Sequence, residues 1–360
     1  MKSAGTAIHE VWARLQDDLS REYFTQRLLY LLDGDCRHGE NMVAAAYRSW
    51  LASGRRCPEA NTFDPDAFPH DKNGPVVVFG AGWLGRQIAP LLAKRGFSDV
   101  RFCDANAALH GGTVDSVPVI SPEALFAMRK APVLIATRIK KFAREISACL
   151  RCNGCDPARI YQPPIIWDNE YFNPDFFAPS GREVYIDAGC YDSRTILEFV
   201  EFCGGKYEAI YGFEPDPESY KRMAGELEPI GLKNISFFQK GLWSSSGTLR
   251  FDNAPNGGAG IRDCGALAIS TVALDALNAS PTFIKMDIEG AELEALRGAE
   301  KTLRRCKPNL AVCVYHKNED ILDIPLYLRE LVPEYRFYLR HHSYSLLDTV
   351  LYATARPMKG

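Results

Sequence analysis

The chain has 360 residues, 46% hydrophobic and 24% charged, which is the balance of an ordinary globular protein with room for two or three domains. Its 42 Lys+Arg stand against 45 Asp+Glu, and a formal charge of −3 excludes a general basic field for collecting nucleic acid. No stretch reaches the ~20 apolar residues that span a bilayer. The first residues, MKSAGTAIHEVWARLQDDLSRE, put acids where a signal peptide needs an apolar run, so a cytoplasmic chain is expected.

Residues 1–74 read as a helical lead-in. Val11, Leu15, Leu19, Tyr23, Leu28 and Leu32 recur near helical spacing up to Gly34, and NMVAAAYRSWLASG predicts a second helix ending at Gly54. From Arg55 to Pro75 the text is dense in Pro, Asp and Gly and reads as a linker.

Residues 75–165 read as a nucleotide-binding-type unit. PVVVFGAG is a buried strand entering a glycine turn, WLGRQIAPLLAKRG a helix closed by Gly96, and VRFCDAN, VPVI and APVLIAT further strands. Gly80, Gly82 and Gly85 follow the first strand and open the helix, and Asp104 ends the next strand. This is the dinucleotide pattern: the glycines permit a tight turn and close backbone approach, and the acid holds a ribose hydroxyl. Trp83 stands where the pyrophosphate would approach, so an empty scaffold is the competing reading.

The eleven cysteines are odd in number and mostly embedded in apolar text such as VRFCD and LAVCVYH, which reads as buried thiols rather than a disulfide framework. Cys149, Cys152 and Cys155 cluster, but no second knuckle follows and the spacing fits one helix face, so no metal is assigned.

Residues 166–360 repeat the alternation. EVYIDAG, AIYGFEP, ISFFQKGL, TFIKMDIEG and NLAVCVYH are strands, and YRFYLRHHS with DTVLYATAR makes a closing hairpin. The fold class is therefore α/β, with two Rossmann-like domains and a helical lead-in. Here an acid precedes the glycine: Asp187 can organise an ammonium group, Gly189 lets the turn pass under a ligand, and Glu214 at the next strand end can take two ribose hydroxyls. That is an S-adenosylmethionine arrangement rather than a dinucleotide one. Asp287 and Glu289 follow the fourth strand, at the edge where open α/β sheets bind ligands.

IKMDIEGAELEALRGA, together with VYIDAGCYDSRT, YGFEPDPESY, CVYHKNEDILDIPLYL and RFYLRHHSYSLLDTVLYA, resembles the FkbM-type S-adenosylmethionine-dependent methyltransferases over about residues 180–357. Residues 75–165 resemble the Rossmann-like unit ahead of this domain in some members. The resemblance implies a class I methyltransferase sheet ending in an antiparallel hairpin, S-adenosyl-L-methionine as cofactor, and O-methylation of a sugar or natural-product hydroxyl. It places the cofactor at Asp187, Gly189 and Glu214, with Glu289 beside it, and the chemistry at Asp287 and His316. One departure is Ser193, where the last glycine of the first motif is expected.

His316 is read as ending the fifth strand, a neutral imidazole that takes a proton from the acceptor hydroxyl. Alternation sends His341 and His342 to opposite faces, so at most one sees the site. Asn253–Asp263 is read as a mobile pocket loop. The partner expected is a small-molecule or saccharide acceptor, without nucleic acid or a membrane span, and a homo-oligomer is left open. Two alternatives remain at this point: a nicotinamide-dependent oxidoreductase built on Gly80–Asp104, which would give the chain a second nucleotide, and a non-catalytic nucleotide-binding scaffold.

Overall fold

The computed structural model describes residues 4–57, 59–64, 67–137, 140–166, 169–252, 260–261 and 267–356. Its contacts divide the chain into Val43–Ile166 and, as the other unit, Met1–Met42 with Trp167–Gly360. The sequence-based boundaries lie instead at 74/75 and 165/166.

In Val43–Ile166 the strands are β1 (Asn61–Thr62), β2 (Pro75–Phe79), β3 (Asp99–Cys103), β4 (Thr113–Val114), β5 (Val117–Ile120), β6 (Val133–Ile135) and β7 (Ile160–Gln162). Val76, Val77 and Val78 are buried on both faces of the sheet, which suits stiff β-branched side chains and makes β2 its centre. The order is β1-β7-β6-β2-β3-β5-β4. Counted from β2, the parallel strands β5-β3-β2-β6-β7 follow the 3-2-1-4-5 order of a doubly wound sheet. The stretch read as a linker supplies β1, which pairs parallel with β7, and buries Cys57, Phe63 and Phe68. Its prolines and aspartates mark turns, but the aromatic residues between them are core.

The second unit contains β8 (Glu183–Ala188), β9 (Tyr207–Phe213), β10 (Ile235–Phe238), β11 (Gly241–Leu242), β12 (Gly247–Asp252), β13 (Gly260–Ile261), β14 (Leu267–Val272), β15 (Phe283–Met286), β16 (Asn309–Cys313), β17 (Arg336–His341) and β18 (Thr349–Thr354). Its main sheet runs β10-β9-β8-β15-β16-β18-β17. β8, β9, β10, β15 and β16 are parallel, and β18 and β17 turn antiparallel as the expected hairpin. In order of appearance this is 3-2-1-4-5-7-6, the class I methyltransferase sheet. Aromatic residues hold it together: Tyr185 stacks on Phe199 with ring centroids 4.1 Å apart, and Phe172 and Phe283 pack around them. The text read as one strand at ISFFQKGL divides into β10 and β11, and β11 joins a second sheet, β11-β14-β12-β13. Most of the loop 253–263 lies outside the described residues.

The N-terminal helix expected from one continuous stripe is two, Ala4–Trp12 and Asp18–Asp33. Asp17 caps the second by accepting from Ser20 N, and Leu15, between the helices, bridges to Phe337 of β17. Asp17 also pairs with Arg340 at 2.7 Å, so this segment lies against the methyltransferase-type sheet. No described helix is long and apolar enough to cross a membrane.

Candidate active site

β8 ends in the turn Asp187–Ser193. Gly189 has φ +79°, and a Cβ there would lie 1.9 Å from the carbonyl oxygen of Asp287. Only glycine lets the ends of β8 and β15 approach this closely. Ser193 stands directly before the helix Arg194–Phe202 at φ −76°, a conformation that needs no glycine, and its hydroxyl donates to Glu226 at 2.7 Å. The departure from the family pattern is therefore sterically harmless.

Asp187 is fully buried beneath the turn. Its carboxylate accepts the Thr195 hydroxyl and lies 3.2 Å from Lys285 Nζ. It is absent from the lining of the cavity above, and its charged partner within the protein is Lys285.

Glu214, at the end of β9, does line that cavity. Oε2 accepts Tyr191 N and Oε1 accepts Asp216 N, both at 2.9 Å. Each oxygen keeps a lone pair for a further donor, the number a ribose diol brings. Burial raises its pKa, with the two backbone N–H groups opposing.

β15 delivers Asp287 and Glu289 to the same edge. Glu289 is held at φ +56° and Gly290 at +88°, consecutive left-handed residues that turn the chain toward the helix Glu292–Arg297. Asp287 accepts the hydroxyls of Tyr171 at 2.9 Å and Tyr315 at 3.3 Å. Burial would raise its pKa, but Lys285, His316 and the Tyr171 hydroxyl together hold it below the usual value. Burial raises that of Glu289, with His316 opposing.

His316 departs from its sequence reading. β16 ends at Cys313, so the ring lies in the following loop, and it is absent from the cavity lining. Nδ1 lies 2.8 Å from Glu292 Oε1, and Nε2 lies 3.4 Å from Asp287 and 3.7 Å from Glu289. Burial disfavours the charged ring, but the hydrogen bond to Glu292 and the surrounding carboxylates outweigh it and raise the pKa to about 9. These contacts favour the imidazolium over the neutral ring that the sequence reading expects. Asp287, Glu292 and His316 each bring one ligand-type atom within 4.8 Å of the others, the one such group found among the described residues.

The cavity measures about 310 Å³. Gly189, Glu214, Asp287 and Glu289 meet there, walled by Leu242 and Ile269 of the second sheet. Lys285, Tyr171, Tyr315 and Glu292 were missed from sequence. The lysine sits inside IKMD, where strand pairing with Asp187 decides its role, and the tyrosines carry no local signal.

His341 and His342 are both buried away from the cavity. His341 Nδ1 lies 3.1 Å from the Thr349 hydroxyl, and His342 Nε2 2.7 Å from that of Tyr352.

In the first unit, Gly80 has φ +111° and lies against Ala136 O, and a Cβ on Gly85 would lie 1.9 Å from Gly80 O, whereas Gly82 has nothing within 4 Å. Asp104 accepts Ala81 N at 2.8 Å and Asn106 N at 2.9 Å, the same pair of contacts Glu214 makes in the other unit. Trp83 opens the helix Trp83–Lys94 and is exposed. Cys149 and Cys152 are exposed, Cys155 half-buried, and Cys103, Cys203 and Cys313 buried as expected, all of them free thiols.

Residues 175–346 match the model of the Methyltransferase FkbM domain. The chain is 30% identical over 129 residues to Hexuronic acid methyltransferase AglP of Haloferax volcanii, a match covering 34% of this chain and 53% of that protein. The chain thus spans about half the length of the curated relative it matches. Among solved structures it is similar to methyltransferase FkbM from Methylobacillus flagellatus (19% identity, 89% of this chain and 100% of that one, TM-score 0.44). It is also similar to Aeropyrum pernix fibrillarin in complex with S-adenosyl-L-methionine (11% identity, 48% and 66%, TM-score 0.32).

Proposed function

We propose that the chain, whose residues 175–346 are an FkbM methyltransferase domain, transfers a methyl group from S-adenosylmethionine to a hydroxyl of a saccharide-type acceptor. The observation that carries this reading is the single cavity in which Gly189, Glu214, Asp287 and Glu289 meet. Glu214 binds the ribose diol, and the turn at Gly189 lies under the methionine part. Carboxylates outnumber cations in the lining, which favours a sulfonium over the neutral thioether left after transfer.

The leaving group needs little help, because displacement of a sulfonium gives a neutral product. The protein's task is to align the hydroxyl and remove its proton. Glu289 takes that proton: it lines the cavity, and burial makes it more basic than an ordinary glutamate. Asp287, kept ionised by its neighbours, accepts a hydrogen bond from the acceptor and orients it. His316 positions both acids from behind, where its charge offsets their repulsion.

The acceptor class rests on the Haloferax volcanii relative, which is named for hexuronic acid. Transfer of labelled methyl from S-adenosylmethionine to a panel of hexuronate and neutral hexose glycosides tests it. Label on a hydroxyl of the sugars supports the reading, and label appearing only on the uronate carboxylate, or on none of the sugars, counts against it. For the first unit, the contacts of Asp104 support a secondary proposal of a nucleotide at Gly80–Gly85. Titration with reduced nicotinamide dinucleotide tests that separately.

A further inference from the structure

Lys285 occupies a place where a lysine is costly. It is 1% exposed, on a central strand, opposite Asp187 in the register of β15 and β8. An ammonium has three donors and no acceptor, and here two of them hydrogen-bond to backbone carbonyls while a carboxylate balances the charge. Nζ donates to Gly189 O at 2.6 Å and to Ala188 O at 3.3 Å, and lies 3.2 Å from Asp187 Oδ1. The Tyr171 ring, 5.2 Å away, lies against the same charge.

The peptide after residue 189 is held on one side, where Cys190 N donates to Phe213 O at 3.2 Å, and its carbonyl points the other way from a glycine at φ +79° that has no side chain to restrain it. The carbonyl of that peptide is the closest partner of Lys285. We infer that Lys285 is a positioning residue for the cofactor: from beneath the turn it ties down the carbonyls of Ala188 and Gly189, and so fixes the backbone surface against which the methionine part of S-adenosylmethionine lies. Asp187 anchors the lysine rather than the ligand. The inference rests on the methyltransferase reading and adds a residue to its cofactor site. It also accounts for two charges buried at a strand end. Without a partner each would be a large cost, and together they hold the carbonyl side of a turn whose N–H groups are already bonded to Phe213 O.

Calorimetric titration of the full chain with S-adenosylhomocysteine tests this. Lys285→Met removes all three donors, and Lys285→Gln keeps an amide that reaches part of the way. Circular dichroism establishes that each is folded, and the glutamine variant is read alone if the methionine variant is not. Affinity is expected to fall at least tenfold in Lys285→Gln and further in Lys285→Met. Hydrogen exchange of the 188–193 backbone should rise in the same proteins while β16 stays protected. A purely structural strut would lower the melting temperature without moving the affinity of the folded protein. A folded Lys285→Gln protein that binds within twofold of wild type, with unchanged exchange in the turn, overturns the inference and leaves the methyltransferase reading standing. Wild-type protein that takes up no S-adenosylhomocysteine overturns both.

Discussion

His316 Nδ1 lies 2.8 Å from Oε1 of the fully buried Glu292, and that oxygen also accepts Ile288 N at 2.9 Å. The contact fixes the ring so that Nε2 faces Asp287 and Glu289. An imidazole among three carboxylates is favoured in its charged form, which is the reason the proposed mechanism gives proton acceptance to an acid and not to the histidine.

The pH dependence of stability follows from that contact. The folded pKa of His316, about 9, lies above its unfolded value of ~6.5. Its stabilisation is fully present below pH ~6.5 and is lost as pH rises through about 9. The stability gap between wild type and His316→Gln, read from urea midpoints, should be on the order of 3 kcal/mol at pH 6 and close by pH 10. A gap that widens with pH would show a ring that is neutral in the fold.

Glu289→Gln removes the proposed proton acceptor and keeps its shape. Turnover should fall by ~10²–10⁴-fold with cofactor affinity little changed. Radiolabelled methyl transfer and calorimetry on the same preparation separate the two effects. Unchanged turnover would pass the role to Asp287.

His341 behaves in the opposite sense to His316. Burial, with His342 and Arg27 adding to it, lowers its pKa to about 3, so the folded protein holds it neutral. The unfolded chain takes up a proton below pH ~6.5 that the folded chain refuses. Stability is therefore lost as pH falls from ~6.5 toward about 3, by roughly 2 kcal/mol at pH 5. Because His316 contributes in the opposite sense over this range, the readout is the difference: between pH ~7.5 and ~5 wild type should lose roughly 2 kcal/mol relative to His341→Leu in chemical denaturation.

Much of this architecture is legible in the residues. Runs such as PVVVF and NLAVC announce buried strands, and the two glycine turns fall where the sheets need them. Other parts are not. The break at Leu15 is invisible to periodicity because the apolar stripe continues across it, although Asp17 and Ser20 carry a capping signal. β1 is two residues long and lies among prolines, and its strand character comes entirely from pairing with β7. The site was half visible. Acids at strand ends point to a sheet edge, but a lysine in a strand reads as solvent-facing until its register opposite Asp187 is known. Glu292 and His316 are far apart in sequence, and only the parallel arrangement of β15 and β16 brings them together.

The glycines offer a contrast within one type of substitution. Gly189→Ala sets a methyl group against the Asp287 carbonyl and forces a left-handed alanine, and should cost ~3 kcal/mol or more. Gly82→Ala meets nothing within 4 Å and should stay within ~0.5 kcal/mol of wild type. Equilibrium denaturation of both proteins gives the comparison. Equal effects would mean that the close approach of β8 and β15 is not what requires glycine.

The central claim is that the Gly189–Glu214 cavity holds the methyl donor, and a crystal structure of the full chain with S-adenosylhomocysteine tests it most directly. The account predicts both ribose hydroxyls within ~3 Å of the Glu214 carboxylate oxygens, with the amino-acid end against the turn at Gly189. A product molecule seated at Gly80–Gly85 instead, or a cavity that stays free of it at saturating concentration, would contradict the account.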